Sequence, residues 1–209
     1  MMKINFAAVS QRFHGRLVLG PLDCSLRAGK ITAVTGTNGS GKSTFLKLAG
    51  HFLPPTQGEI TVMAGAEKLK GEMLRKHIAM VTPELRFYDR LTARENLDFL
   101  LGLRGMHLDE KFYRGLLERV GLFEQDICHS FVGDFSTGMS QRLKIAALLA
   151  VQADIWLLDE PGANLDESGR IMIARELQAA RECGVLVVLA TNDPGEEALA
   201  DEIIALAGH

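Results

Sequence analysis

The segment Gly36-Thr37-Asn38-Gly39-Ser40-Gly41-Lys42-Ser43-Thr44 matches the phosphate-binding pattern G-x-x-x-x-G-K-[ST] at every fixed position. An apolar run over 31–35 precedes it and predicts a buried strand, and residues 45–49 continue it with a helical pattern. In that context the backbone N–H groups of the loop form a concave anion site, to which the helix start adds partial positive charge. The alternative is an ordinary glycine-rich turn. The lysine and serine in register, with the correct flanks, favour the phosphate site.

Two side chains of this segment have definite predicted roles. We expect the Lys42 ammonium to reach the β- and γ-phosphates of a nucleotide, and the Ser43 hydroxyl to bind Mg²⁺. The glycines are needed because a Cβ atom would block the phosphate or forbid the turn. All nine residues of the segment are therefore candidates for nucleotide binding.

Length and composition narrow the class of protein. The chain has 209 residues, 47% of them hydrophobic, which suffices for one α/β domain with a full core. The formal net charge of −3 gives no electrostatic reason to expect nucleic acid or an anionic membrane surface as a partner. We therefore predict no nucleic-acid partner.

Cysteine and histidine usage argues against a disulfide framework or a structural metal centre. Cys24, Cys128 and Cys183 lie far apart without metal-ligand spacing, which is typical of reduced thiols in a cytosolic protein. The six histidines include no i,i+4 pair. No apolar run approaches the length of a bilayer span, and the N-terminus does not resemble a signal peptide. We expect a soluble protein, whose membrane role would depend on a partner chain.

Apolar runs alternate with helical patterns along the rest of the chain, which favours a mostly parallel sheet covered on both faces. Thr92, with Glu95 three residues later, forms a capping-box pattern that begins a helix. We predict one domain over 1–209, with a core lobe over about 1–83 and 151–209 and a helical lobe over about 84–150. The remaining predicted strands cover 4–9, 22–26, 59–62, 78–81, 154–160 and 185–190, and the other helices cover about 109–120, 139–151 and 167–183.

Polar side chains follow four of the apolar runs, where ligands bind in open α/β sheets. The four positions are Gly36 onward, 82–84, 159–160 and 191–192. Asp159 fits the carboxylate that holds Mg²⁺, and Glu160 can act as general base toward an attacking water. An isolated Asp-Glu pair is often only a polar strand exit, but the phosphate loop favours the catalytic interpretation.

The stretch Phe135-Ser136-Thr137-Gly138-Met139-Ser140-Gln141-Arg142 resembles the signature loop of ATP-binding cassette (ABC) ATPases, written L-S-G-G-Q with a following basic residue. A serine and a glycine at a helix start offer a hydroxyl, N–H groups and the helix dipole to an anion. Taken alone, the stretch could be a plain helix cap by Ser136 or Thr137. The order of phosphate loop, helical insertion, signature and Asp-Glu-Pro favours the resemblance.

The resemblance covers essentially the whole chain. Residues 91–97 are similar to the stretch after the family's Q-loop, and 163–166 resemble its D-loop, which ends here at Asp166. Phe13 falls where the family places its adenine-stacking aromatic, although by itself a surface or core phenylalanine is the commoner case. The resemblance implies a P-loop NTPase core with a mostly parallel sheet, antiparallel N-terminal strands and an inserted helical subdomain.

The family's mode of action is implied as well. Two ABC ATPase subunits would form a head-to-tail dimer holding two ATP molecules, each between the phosphate loop of one subunit and Ser136, Gly138 and Met139 of the other. ATP would close the dimer and hydrolysis would release it, which drives a transmembrane permease on a separate chain. The protein would then lie on the cytoplasmic face of the membrane, and the surface over 84–96 would dock the permease, with Arg94 and Glu95 in the contact.

Three positions depart from the family pattern. Glu84 stands in place of the Q-loop glutamine and remains a candidate Mg²⁺ ligand. Asn192 stands in place of the switch histidine, where it can donate a hydrogen bond to the γ-phosphate but cannot change protonation near neutral pH. Met139 replaces the signature glutamine. The chain most resembles exporter-type and haem-exporter-like ATPases; a low-turnover regulatory subunit and a non-transport ABC ATPase acting on DNA or ribosomes are the alternatives.

Overall fold

The computed structural model describes residues 1–123, 127 and 129–207, so Cys128 and its predicted free thiol lie outside the described residues. Cys24 and Cys183 carry free thiols, as predicted. The chain divides into two compact units. The first contains 1–80, 153–160 and the residues from Glu176 onward, and the second contains 81–152 and 161–175.

The described strands and helices follow in chain order. The strands are β1 (Met2–Phe13), β2 (Arg16–Arg27), β3 (Lys30–Thr35), β4 (Gln57–Ala64), β5 (Glu67–Leu69), β6 (Ile78–Val81), β7 (Ile155–Asp159), β8 (Leu186–Ala190) and β9 (Glu202–Ala205). The helices are α1 (Lys42–Ala49), α2 (Gly71–His77), α3 (Ala93–Gly102), α4 (Glu110–Val120), α5 (Thr137–Val151), α6 (Glu167–Glu182) and α7 (Pro194–Glu197).

An antiparallel sheet with the order β2-β1-β4-β5 forms from the N-terminal strands. Its first two strands are longer than the predicted 4–9 and 22–26, because they pair from Lys3 with Arg27 to Phe13 with Arg16. Register shifts interrupt the alternation that marks a strand in sequence, and Ala8 takes a left-handed φ of 48° there. The Ala8 N–H is satisfied by the Asp23 carboxylate at 2.7 Å. Phe13 thus ends a strand and is not part of a long loop.

A second sheet has the order β6-β7-β8-β3-β9. The pairs β7–β8, β8–β3 and β3–β9 are parallel, and the residues of β7 and β8 are all buried. This agrees with the continuous apolar runs from which a covered parallel sheet was predicted. Phe45 anchors helix α1, which follows the phosphate loop, because its ring stacks on Phe6 of β1 with centroids 4.8 Å apart.

In the second unit, α5 packs against α3 and α4. The capping box at Thr92 and Glu95 is present as predicted. Helix α4 begins after Asp109, whose side chain caps it, and ends at Gly121 with a left-handed φ of 70°. Within the described part of the chain, no helix is long and apolar enough to cross a membrane, and no group of three or more His, Cys, Asp or Glu residues could hold a metal ion.

Candidate nucleotide-binding site

Three strands of the parallel sheet end at the same level. Ala190 of β8 is in register with both Val34 of β3 and Asp159 of β7. One residue further on, the Glu160 N–H donates to the Ala190 carbonyl at 2.9 Å, and the Thr191 N–H donates to the Val34 carbonyl at 3.1 Å. Because of this register, the phosphate loop, the Asp159-Glu160 pair and the segment at 191–192 leave the sheet at one edge.

The loop that follows β3 has a backbone that requires glycine. Gly36 has φ 145°, and a Cβ atom there would lie 2.5 Å from the Ser40 Oγ and 2.6 Å from the Leu206 carbonyl. Gly41 has φ 98°, and its Cβ would lie 2.9 Å from the Val18 carbonyl. Both positions are therefore closed to other residues by conformation and by space.

Lys42 and Ser40 give the loop its chemistry. The buried Lys42 ammonium donates to the Gly36 carbonyl at 2.8 Å and to the Thr37 carbonyl at 3.4 Å, so it lies across the loop. The Ser40 hydroxyl is buried without a hydrogen-bond partner among the described residues. Gly41 caps α1 without a side-chain hydrogen bond, which leaves the first N–H groups of the helix available. A buried hydroxyl, an ammonium and a row of N–H groups fit a phosphate group.

Asp159 and Glu160 stand at the exit of β7. The Asp159 residue is only 4% exposed. The chain turns directly after it, because Glu160 takes a left-handed φ of 48°. A non-glycine residue rarely adopts this conformation, and such residues cluster at functional sites. A buried carboxylate at the same end of the sheet as the phosphate loop matches the oxygen ligands that Mg²⁺ prefers.

Asn192 is joined to the phosphate loop. Its Nδ2 donates to the Asn38 Oδ1 at 2.8 Å. The preceding Thr191 is buried, accepts a hydrogen bond from the Asp193 N–H at 2.9 Å and donates one to the Glu196 carboxylate. The turn that presents Asn192 is thus held by a small polar network, of which only the polar strand end was predicted.

The residues predicted from the signature and D-loop lie in the second unit. The Ser136 Oγ accepts a hydrogen bond from the Met139 N–H at 3.2 Å and so caps α5. At Gly138, a Cβ atom would lie 3.2 Å from the Asn164 carbonyl, so the signature and the D-loop touch at this glycine. Glu84 is exposed in the same unit.

Asp166 is strongly engaged within the second unit. Its carboxylate accepts hydrogen bonds from the Gly169 N–H at 2.9 Å, from the Ser168 hydroxyl, and from the Arg142 guanidinium at 2.8 Å. The Gly169 N–H, followed by Ser168 and Arg142, lowers the pKa of Asp166 below its ordinary value. The carboxylate therefore holds its charge and fixes the start of α6.

The predicted site residues divide between the two units. The first set is Gly36–Thr44 with Asp159, Glu160 and Asn192, and the second is Glu84, Ser136, Gly138, Met139 and Asp166. Phe13, half-exposed at the end of β1, belongs to the first unit.

Sequence reasoning missed several buried polar residues of the second unit. Gln141 and Lys144 lie on the buried, mostly apolar face of helix α5, and their polar groups donate to backbone carbonyls of the neighbouring loops. Asn96 is 1% exposed, and its amide bonds the backbone of Tyr88, Leu91 and Thr92. A polar residue within the apolar face of a helix was the sequence pattern that could have indicated these buried contacts.

The charged groups of Arg94 and Glu95 make their contacts within the second unit. The Arg94 guanidinium pairs with Asp98 at 2.7 Å and with Glu110 at 3.1 Å, and it lies 5.0 Å from the centre of the Tyr113 ring. Glu95 closes the cap of α3 with Thr92. Both residues therefore stabilise the helices of this unit, and their predicted contact with a permease stays a prediction.

A model of the ABC transporter family matches residues 19–163. The chain belongs to this family. Among curated relatives, the glutamine transport ATP-binding protein GlnQ of Escherichia coli is 33% identical over 198 residues, which cover 92% of this chain and 82% of GlnQ. The cytochrome c biogenesis ATP-binding export protein CcmA of Pseudomonas putida is 34% identical over 179 residues, covering 85% of this chain and 83% of CcmA.

Solved ABC structures share the fold. The dimeric structure of MJ0796, a bacterial ABC transporter cassette, superposes with a TM-score of 0.83 at 27% identity, covering 97% of this chain and 94% of that one. The same cassette in a post-hydrolysis state bound to ADP and phosphate gives a TM-score of 0.81 at 26% identity, with the same coverage. These likenesses confirm the predicted family, the ABC ATPase fold and the assignment of the chain as an ABC-type ATPase.

Proposed function

We propose that this ABC ATPase binds ATP with Mg²⁺ at the loop Gly36–Thr44 and hydrolyses it within a head-to-tail dimer, and that hydrolysis is coupled to transport by a permease on a separate chain. One observation carries the proposal. Through the shared register of β3, β8 and β7, a loop with a buried lysine lies at the same end of the sheet as a buried aspartate and a glutamate in strained backbone. That is the set of groups that phosphoryl transfer to water requires.

The residues of the first unit would divide the chemistry among themselves. Lys42 and the N–H groups of the loop would bind the β- and γ-phosphates and offset charge that develops there, while Phe13 would stack on the adenine. Ser43 and Asp159 would hold Mg²⁺, together with Glu84, and the ion supplies charge neutralisation of the phosphates when bound. Glu160 would accept the proton of the attacking water as its oxygen bonds to the γ-phosphorus and the bond to the ADP oxygen breaks. Asn192 would donate a hydrogen bond to the γ-phosphate.

The second unit would act on the nucleotide of the partner subunit. Ser136, Gly138 and Met139 begin a helix of 15 residues, and their hydroxyl and N–H groups would face the γ-phosphate held by the other copy. Asp166 would lie at the same interface. The partner is a second ABC ATPase subunit, either an identical copy or a related chain, and the dimeric cassette among the solved relatives supports this arrangement.

We also propose one domain over 1–209, with a core lobe over about 1–83 and 151–209 and a helical lobe over about 84–150, attached to the cytoplasmic face of the membrane through the permease. Tyr88 and Phe99 fit the docking surface better than Arg94 and Glu95 do. Their rings make an edge-to-face pair with centroids 5.2 Å apart, yet Tyr88 remains 56% exposed and Phe99 42% exposed. Exposed aromatic pairs are typical of interface anchors.

A regulatory subunit with little turnover is the second candidate. Its support is Asn192, which bonds Asn38 and has no titratable group with which to move a proton. Steady-state ATPase assays of the chain alone and with its co-purified permease distinguish the two. Turnover stimulated by the permease supports the transport ATPase, whereas ATP binding without turnover in either state supports the regulatory subunit.

Docking through the aromatic pair has its own test. Replacing both Tyr88 and Phe99 by alanine should abolish stimulation by the permease while the basal ATPase rate persists. An Ile171→Ala variant, which alters an exposed apolar residue on α6, is the matched control. Full stimulation of the double variant would contradict the docking assignment.

A further inference from the structure

Helix α5 holds the two chain segments that follow strands β6 and β7. From its buried face, Gln141 donates to the Pro161 carbonyl at 2.7 Å, in the residue directly after Glu160. One turn further along, Lys144 donates to the Thr82 and Pro83 carbonyls, both at 3.1 Å. Residues three positions apart on a helix lie on the same side, so one face of α5 holds both segments.

Lys144 is an unusual residue for this position. It is only 9% exposed, it lies in the run 143–150 of which every residue is buried, and two backbone carbonyls accept from its ammonium. Burying a lysine is costly unless its charge is compensated, so an apolar residue would be the simpler choice for packing alone. Glu84 and Arg86 are the charged groups that act on it, with Glu84 attracting the ammonium.

The held segment also has its own short turn. The Leu85 N–H donates to the Thr82 carbonyl at 3.2 Å, which is one of the two oxygens that Lys144 binds. Glu84 lies inside that turn. The ammonium therefore fixes the backbone on which Glu84 is carried.

We propose that Lys144 is a positioning residue that fastens the Thr82–Leu85 turn to helix α5, so that Glu84 keeps a fixed place relative to the helix that Ser136 begins. The inference rests on the proposed function, in which Glu84 is a ligand of Mg²⁺. Loss of the tether would leave the phosphate loop intact and would impair the use of Mg²⁺ and the chemical step. Groups that orient metal ligands typically change metal affinity or activity by about 10- to 100-fold when removed.

Backbone amide exchange of the nucleotide-free protein tests the tether itself. In Lys144→Met, the Leu85 amide should exchange about tenfold faster than in the wild type, because its acceptor oxygen has lost the ammonium. Lys144→Arg should keep slow exchange, since a guanidinium can also donate to two carbonyls. Lys111→Met, which removes an exposed lysine of α4, is the control for loss of charge in the same unit. Unchanged exchange in a folded Lys144→Met protein would overturn the tether.

Kinetics test the functional part. Lys144→Met should raise the Mg²⁺ concentration for half-maximal ATPase activity by about tenfold and lower kcat, while the Kd of ATP for the nucleotide-binding loop stays within about twofold of the wild type. Lys144→Arg should keep a Mg²⁺ dependence and a kcat close to those of the wild type. A wild-type Mg²⁺ dependence and kcat in Lys144→Met, despite faster exchange, would overturn the positioning role. A wild-type protein without ATPase activity would overturn the proposed function instead, and the exchange data would still decide the tether.

Discussion

Glu160 is the residue on which turnover should depend most. Its proposed role is to take the proton of the attacking water, and general bases typically contribute about 10²- to 10⁴-fold. Glu160→Gln should therefore lower kcat by at least about a hundredfold and leave the affinity for ATP unchanged. Glu182→Gln, at an exposed glutamate near the end of α6, is the control. An unaltered rate in Glu160→Gln would rule out this residue as the base.

The hydrogen bond between Asn38 and Asn192 should couple the phosphate loop to the end of β8. Alanine at either position removes the same bond, so the two effects should overlap. A double-mutant cycle on the free energy of unfolding should give a coupling of about 0.5–1 kcal/mol, the usual net value of one hydrogen bond. Additive effects within error would show that the bond contributes nothing in solution.

At the scale of single elements, Asn96 should matter more to helix α3 than its capping residue does. Asn96→Ala leaves the Tyr88 N–H without its acceptor and removes the second donor from three carbonyls that each keep a backbone N–H donor, which should lower the free energy of unfolding by about 2 kcal/mol. Thr92→Ala removes an exposed cap worth about 1 kcal/mol. Urea unfolding of the two variants compares them. A larger loss for Thr92→Ala would contradict the ranking.

The start of helix α6 should respond to acid through Asp166. The pKa of this carboxyl is lowered in the folded protein, so its hydrogen bonds stabilise the protein fully when the pH is above the ordinary pKa of 3.8. This stabilisation is lost as the pH falls from there through the lower pKa of the folded state. The difference in Tm between wild type and Asp166→Asn should be constant from neutral pH down to about the ordinary pKa of 3.8 and should shrink below it. A difference that grows on acidification would contradict this sign.

Most elements could be predicted because their signals are local. The phosphate loop, the cap at Thr92 and the apolar strands β7 and β8 each depend on neighbouring residues, and the structure has them as predicted. The full length of β1 could not be predicted, because its bulge at Ala8 depends on the side chain of Asp23, 15 residues away. Buried contacts such as that of Lys144 with Thr82, 62 residues apart, are likewise set by packing and have no local pattern.

For the whole molecule, ATP should drive dimer formation. Glu160→Gln, which binds ATP without cleaving it, should sediment as a dimer with ATP and Mg²⁺ and as a monomer with ADP. Adding Ser136→Asp should abolish the dimer, since aspartate still caps α5 but sets a negative charge against the partner's γ-phosphate. A monomer for Glu160→Gln under all conditions would contradict the head-to-tail arrangement.

Nucleotide binding by the loop Gly36–Thr44 is the claim on which the other proposals depend, and calorimetric titration of the purified chain with ATP and Mg²⁺ tests it most directly. We expect saturable binding of one nucleotide per chain by the wild type, and loss of that binding in Lys42→Ala, because the ammonium that lies across the loop is gone. Heat of binding absent from the wild type, or equal in the two proteins, would contradict the claim.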